Sequence, residues 1–340
     1  MKKTVLVTGG AGYIGSHACK QLALAGFVPV TYDNLSTGHA YAVKWGPFVQ
    51  GDLNDRIKLD EAFLQYKPIA VLHFAAHAIV SESMQDPGFT YRNNVNATVH
   101  LLEAMRDHKV PFLVFSSTCA TYGLPKQIPI TEEHPQEPIS PYGRSKWMIE
   151  QIIRDFERTH GIRCAMLRYF NVAGADFATE IGENHAVETH LIPSILQTAI
   201  GLRKEVIVYG TDFATKDGSA VRDYIHVQDL AEAHVKALQR LLSHQKSLTV
   251  NLGTGTGYSV FEILEAVQKF CGHPLSARLE KRREGDPPIL VADAKKAFEL
   301  LTWKPLHSDL PTLIESAWKW HKLLFDNAHL LKATLGAKEC

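Results

Sequence analysis

The chain has 340 residues and a mass of 37.9 kDa, enough for one large domain plus a smaller one. Lys+Arg and Asp+Glu both number 36, so no excess charge draws it to nucleic acid or an acidic membrane surface. Five scattered cysteines (Cys19, Cys119, Cys164, Cys271, Cys340) without a C-x-x-C pair speak against a disulfide framework or a zinc site. With no run of membrane-spanning length and no secretory leader, they predict a soluble cytoplasmic protein.

Short apolar runs alternate with helical patterns through the first half. Residues 5–8 read as a buried strand and residues 14–25 as an amphipathic helix, with Gly9, Gly12 and Gly15 between them. In that G-x-x-G-x-x-G, Gly9 permits a tight turn and Gly12 lets backbone amides approach a pyrophosphate. Gly15 lets the helix pack closely on the strand. The helix N-terminus adds about half a positive charge toward the anion. The next strand, 28–32, ends in Asp33, placed to accept hydrogen bonds from adenosine ribose hydroxyls. A carboxylate there would repel a 2′-phosphate, so the pattern favours NAD over NADP. A short strand at 48–50 leads to Asp52, which suits either an adenine edge or a helix cap.

A helix at 59–66, a strand at 70–74, a helix at 93–106 and a strand at 112–116 follow. That last strand runs into Ser116-Ser117-Thr118, three hydroxyls at a carboxyl end where α/β ligands bind. The helix at 142–159 opens on Tyr142 and Lys146, one turn apart on one face. A free phenol, with a pKa of about 10, is too weak a base at neutral pH. A cation about 4 Å away contributes on the order of 4 kcal/mol, enough to lower that value by as much as ~3 units. Lys146, with the positive ring of a nicotinamide cofactor, is therefore expected to activate Tyr142 while Thr118 holds a substrate oxygen.

A strand at 163–168 closes this series, which predicts an α/β fold with a Rossmann-type doubly wound parallel sheet over residues 1–172. Beyond Asn171 the alternation weakens. Glycines and acids cluster around 174–184, then come a helix at 192–202 and a strand at 205–209. Residues 224–226 and 229–241 read as a strand and helix rejoining the main sheet, part of a return spanning about 222–253. The remainder of 173–340, including 261–271 and 275–293, is expected to form a smaller α/β substrate domain, with a poorly ordered tail beyond Asn327. His73, His77, His190 and His226 show no metal spacing, and no metal is expected.

Nearly the whole chain resembles one family. The runs TGGAGYIGSH, VLHFAA, NNVNAT, FSSTCATYG, SPYGRSK, LRYFN, VRDYIHVQDLA, NLGTG and RREGDPP are similar to bacterial UDP-glucose 4-epimerases, extended short-chain dehydrogenases/reductases. The resemblance implies catalysis by Tyr142, Lys146 and Thr118. It implies NAD contacts at Gly9, Gly12, Tyr13, Ile14, Gly15, Asp33, Asn34, Asp52, Leu53, Phe74, Ala75, Asn94, Lys146 and Tyr169. It places UDP-glucose or UDP-galactose against Asn171, Leu191, Tyr209, Arg222 and Asp286, as well as Thr118 and Tyr142. Arg283 would face the diphosphate and His190 would lie beside the uracil. A homodimer through the helices at 93–106 and 142–159 is also implied. Leu290 stands where some members carry a tyrosine that closes the sugar pocket, which leaves UDP-N-acetyl sugars and uronates open as alternative substrates. Related dehydratases place Asp-Glu after the catalytic threonine, whereas Thr118 precedes Cys119 and Ala120. A non-catalytic relative would typically lack the tyrosine or lysine that this chain keeps.

Overall fold

The structure is a computed structural model that describes residues 3–283 and 285–327. Thirteen strands occur among them: β1 Thr4–Thr8, β2 Val28–Asp33, β3 Phe48–Gln50, β4 Ala70–His73, β5 Phe112–Thr118, β6 Arg163–Tyr169, β7 Asn171–Ala173, β8 Val206–Tyr209, β9 Val221–His226, β10 Leu248–Leu252, β11 Gly257–Ser259, β12 Ala277–Glu280 and β13 Ile289–Leu290. Seven form one sheet in the order β10-β6-β5-β4-β1-β2-β3, and every pairing in it is parallel. The order reverses between β1 and β4, and that reversal opens a crevice at the carboxyl ends of the strands.

Alternation along each strand sends side chains into two separate cores. Val5, Val7, Leu72, Val114 and Leu167 point to one face, where Ala18 and Leu22 of helix Tyr13–Leu24 meet Leu230, Leu238 and Leu241 of helix Val227–His244. Leu6, Val30, Val71, Leu113 and Phe115 point to the other, against helices Arg56–Tyr66, Ala97–Asp107 and Pro141–His160. Because both faces are covered, the strands read as continuous apolar runs. That is why this sheet was visible in the sequence.

The second half contains two smaller sheets. β9 is flanked by β7, β11 and β13, and β8 pairs with β12. This corrects the reading of residues 224–226: β9 does not rejoin the main sheet. Only helix Val227–His244 and β10 do so. The cause lies at Phe170, where the chain leaves β6 and starts β7, so that Asn171–Ala173 pairs with Tyr224–His226 and holds β9 away from the large sheet. Asp223 on β9, fully buried, then binds the amides of Thr254, Gly255 and Ala292. A backbone-binding carboxylate of this kind leaves no trace in apolar periodicity. The helix expected at 93–106 starts with a widened turn at Arg92–Asn96 before Ala97–Asp107. The tail beyond Asn327 and Cys340 lie outside the described residues.

Candidate active site

At the end of β1 the chain turns on Gly9, whose φ is +72°. A Cβ there would lie 2.6 Å from the Ala75 nitrogen, and one at Gly15 would lie 2.1 Å from the Gly9 carbonyl oxygen. Both positions therefore exclude any larger residue. The helix begins on Gly12 with no side-chain cap and no acidic residue in its first turn. Its first amides have no partner within the helix, so this end offers donors and a positive dipole to an anion. A dinucleotide pyrophosphate fits that chemistry. Ile14 packs into the adjacent core.

Asp33 accepts the amides of Ala11 (3.0 Å) and Leu35 (2.8 Å), tying the glycine loop to the end of β2. Burial raises its carboxyl group above the ordinary value, although those two amides and His39 oppose the shift. Beside it, Asn34 donates to Asp52 at 2.8 Å, and Leu53 is buried beneath. At the end of β4, the amides of Phe74 and Ala75 both reach the Thr8 carbonyl and bring this strand end against Gly9. The expected cofactor residues thus converge on one rim. Tyr13 and Asn94 reach further into the protein. Tyr13 donates its hydroxyl to the Gly174 carbonyl at 2.6 Å. Asn94 accepts the His77 amide at 2.7 Å and donates to the His77 carbonyl and to Ser145. Asn94 therefore fixes the loop after β4 to the start of helix Pro141–His160.

The three hydroxyls ending β5 have separate tasks. Ser116 shares a short hydrogen bond with the Tyr169 phenol. Ser117 donates to Glu150 at 2.6 Å, and Glu150 is paired with Arg168 at 2.6 Å, their side chains only 0% and 3% exposed. Thr118 remains: its hydroxyl oxygen accepts the Ala120 amide at 3.1 Å, and it is close enough to Tyr142 to favour the ionised phenol. Helix Pro141–His160 positions Tyr142 through its own start, where Ser140 accepts the Gly143 amide and Pro141 occupies the first turn.

The electrostatics differ from the expectation. Burial pushes the Tyr142 phenol up, Tyr169 adds to that, and the nearby Thr118 only partly opposes it. Lys146 donates to the Ser116 carbonyl at 2.8 Å, and its nitrogen lies 4.9 Å from the centre of the Phe115 ring. Burial lowers its pKa to about 7. A lysine desolvated to that degree is only partly charged at neutral pH, so the chain alone does not acidify the phenol as the Tyr142–Lys146 spacing suggested.

Across the crevice, β9 places Arg222 opposite Leu290 of β13, and Tyr224, two residues on, pairs with Asn171 of β7. Arg222 forms a short ion pair with Asp286 and also donates to the Val221 carbonyl. Its charge is felt by the Cys119 thiol, directly after Thr118, and this links the two halves of the site. The guanidinium of Arg283 stacks 3.9 Å from the Tyr209 ring centre, and the Asp286 amide reaches the Arg283 carbonyl. Leu290 is 8% exposed and packs with Cys119, Tyr122, Ile130, Phe170 and Ala292. Leu191 opens helix Leu191–Ala199 and His190 caps it. His190 faces Glu183 and Glu188. Burial disfavours its imidazolium, yet the two carboxylates outweigh that and raise it well above its ordinary value.

Sequence reasoning passed over two groups. One is the Ser117–Glu150–Arg168 network, whose signal was a charged residue inside an apolar strand. The other is the E-x-H-x-x-E-x-H run from Glu183 to His190.

With this geometry established, comparison with known proteins is specific. Residues 5–253 match the profile of the NAD dependent epimerase/dehydratase family. The UDP-glucose 4-epimerase of Rhizobium meliloti (strain 1021) is 52% identical over 317 residues, covering 93% of this chain and 96% of that relative. The crystal structure of UDP-glucose 4-epimerase from Brucella ovis in complex with NAD superposes with a TM-score of 0.91 at 49% identity. It covers 93% of this chain and 98% of that one. The enzyme from Bifidobacterium longum, in complex with NAD+ and UDP, gives a TM-score of 0.90 at 37% identity, over 96% and 100% of the two chains.

Proposed function

The chain belongs to the NAD dependent epimerase/dehydratase family, and we propose that it interconverts UDP-galactose and UDP-glucose by inverting C4 through a 4-keto sugar, with Tyr142 as the proton-transfer group. The observation that carries this reading is the placement of Thr118, ending β5 at its carboxyl end, beside Tyr142 in the first turn of helix Pro141–His160, in the crevice bounded by the glycine loop. Bound NAD supplies the acceptor and donor of the C4 hydride.

The chain's own residues hold, orient and move a proton. The first amides after Gly12 hold the pyrophosphate, with Gly9 and Gly15 keeping the backbone close. Asp33 takes the adenosine ribose, Asn34, Asp52 and Leu53 border the adenine end, and Tyr169 and Lys146 flank the nicotinamide end. Phe74 and Ala75 form the wall between. Tyr142 removes the C4 hydroxyl proton, directly or through Thr118, and returns it to the C4 oxygen once the 4-keto sugar has turned to present its opposite face. Because burial holds its phenol protonated, base strength must come from charge that enters with the ligands. Arg222 and Arg283 offer planar forks to the diphosphate, Asn171 and Asp286 suit sugar and ribose hydroxyls, and Tyr209, His190 and Leu191 border the uridine. Binding strength placed on the nucleotide leaves the hexose free to turn about its diphosphate linkage.

Dehydratase chemistry has little support. The residue after Thr118 is Cys119, whose thiol burial raises to about 12, and Ala120 follows. Leu290 favours a second reading in one respect: it has no hydrogen-bond donor with which to close the sugar pocket, so UDP-N-acetylglucosamine is a candidate co-substrate. Absence of turnover of that sugar beside robust UDP-galactose turnover removes this second reading. Homodimerisation is supported by Val99 and Trp147, half-buried apolar side chains on the two helices concerned, and light scattering of the purified chain tests it. A cytoplasmic location is consistent with the four described cysteines, all free thiols, and no described helix is long and apolar enough to cross a membrane.

The central experiment incubates purified protein with UDP-galactose and no added cofactor, then measures UDP-glucose and protein-bound NAD. Product formed by NAD-containing protein is the expected result. NAD-loaded protein that forms no UDP-glucose refutes the assignment.

A further inference from the structure

Residues 183–190 run Glu183-Asn184-His185-Ala186-Val187-Glu188-Thr189-His190 and end where helix Leu191–Ala199 begins. Their main chain is fastened at several points. Trp320 donates its indole N–H to the Glu183 carbonyl at 2.8 Å, His39 meets the Asn184 carbonyl at 2.8 Å, and Arg203 donates to the Glu188 carbonyl at 2.6 Å. So held, the segment turns four side chains toward one point. Nδ1 of His190 lies 2.8 Å from Glu183 Oε1 and 3.2 Å from Glu188 Oε1. Nδ1 of His185 lies 3.5 Å from Glu183 Oε1 and 3.3 Å from Glu188 Oε2. One ligand atom from each of the four residues can be chosen so that all lie within 4.8 Å of one another.

We propose that Glu183, His185, Glu188 and His190 bind one divalent transition-metal ion, zinc before others, in a tetrahedral two-histidine, two-carboxylate site.

Ligand spacing is the first reason. Around a tetrahedral zinc with bonds of about 2.0–2.1 Å, neighbouring ligand atoms stand about 3.3–3.4 Å apart. With one oxygen from each carboxylate, three nitrogen–oxygen separations of 2.8, 3.2 and 3.5 Å bracket that edge, and His185 lies 3.3 Å from the other Glu188 oxygen. Donor supply is the second. Each Nδ1 carries at most one hydrogen, yet each faces both carboxylates, so two N–H groups must serve four short contacts. A central cation meets all four ligand atoms at once. Charge is the third. Glu183 and Glu188 are only 4% and 5% exposed; the amides of Thr189 and His190 reach Glu188 Oε1 at 2.8 Å, and two buried carboxylates still favour positive charge nearby. A divalent ion with neutral imidazoles supplies it, and imidazole ligation selects zinc over magnesium or calcium.

The competing occupant is hydrogen ions, which would leave two imidazolium–carboxylate pairs. The site uses no group that Tyr142, Lys146 or Thr118 needs, so its role is to brace the segment leading into helix Leu191–Ala199. One of the four, His190, also borders the uridine in the reading above, so the variants tested are at His185 and Glu183.

The test uses the full-length NAD-containing protein, stripped of metal with a chelator and then titrated with zinc against a chromogenic chelator, with thermal midpoints and NAD content followed in parallel. Wild type and the control His273→Gln, an exposed histidine outside the cluster, are expected to take up one zinc per chain and to melt at a higher temperature when loaded. His185→Gln and Glu183→Gln should lose that uptake while retaining NAD. X-ray absorption of the loaded wild type should show only nitrogen and oxygen ligands at about 2.0–2.2 Å. Equal zinc uptake by wild type and His185→Gln overturns the proposal. So does a wild type that takes up none, a result that does not depend on any variant folding, or one that magnesium stabilises as strongly as zinc.

Discussion

The ends of β5 and β9 face one crevice and are built in opposite ways. Around β5, Ser116, Ser117, Thr118 and Lys146 are between 1% and 7% exposed, and each is held by a partner inside the protein. Around β9 the charged groups are more open: Arg222 and Asp286 pair at 12% and 27% exposure, and Arg283 lies exposed on Tyr209. Proton transfer demands fixed atoms in a low dielectric. Holding a diphosphate while a sugar turns demands charges that can exchange partners. The same crevice thus joins a rigid wall to an adaptable one.

The sharpest attack on that contrast is at the rigid wall. Tyr142→Phe should lower kcat for UDP-galactose about 10²- to 10⁴-fold while bound NAD is unchanged; near-normal turnover would remove the tyrosine from the chemistry. Next comes Glu150→Gln, which leaves Arg168 buried without its counter-charge. It should reduce stability by about 3–5 kcal/mol in urea unfolding, and a neutral result would show that the network does not stiffen the β5 wall. At the adaptable wall, Arg222→Met should raise KM about 10- to 100-fold with kcat less affected, the loss expected for hydrogen bonds to a charged group. A fall confined to kcat would instead place Arg222 with the reacting atoms.

A separate test concerns Lys146 and pH. Unfolded, a lysine keeps its proton to about 10.4; folded, this one keeps it only to about 7. The unfolded chain therefore binds the extra proton between those values, and folding stability rises with pH across that window. Lys146→Met should abolish this dependence. It should melt above wild type at pH 7 and approach it as the pH nears 10, read from thermal midpoints at constant salt. A difference between the two proteins that does not change with pH would mean that the lysine stays charged when buried.

Legibility followed the same division. β1, β2, β4, β5 and β6 were readable because parallel strands covered on both faces become unbroken apolar runs, and Gly9, Gly12 and Gly15 announce a backbone approach that no side chain permits. Tyr142 and Lys146 were readable from helical spacing, although spacing could not show that burial outweighs the attraction between their charges. Of the three consecutive hydroxyls Thr118 was singled out, whereas the partners that occupy the other two, Tyr169 for Ser116 and Glu150 for Ser117, went unread. The β9 sheet was misplaced because short strands stitched by Asp223 to distant amides follow no period. Asn94 was legible as a residue, but its hydrogen bonds to His77 and Ser145 were not.

The last strand of the seven has a consequence for biosynthesis. Residues up to Tyr169 can pair as they emerge, but the edge of β6 and the face beneath helix Val227–His244 stay bare until Leu252 has been made. At ribosomal speeds that interval lasts roughly 4 to 17 s, during which an unpaired strand and an apolar surface are open to other nascent chains. Slowing translation across this stretch, or withdrawing chaperones, should lower the yield of folded protein more than the same change imposed after Leu252.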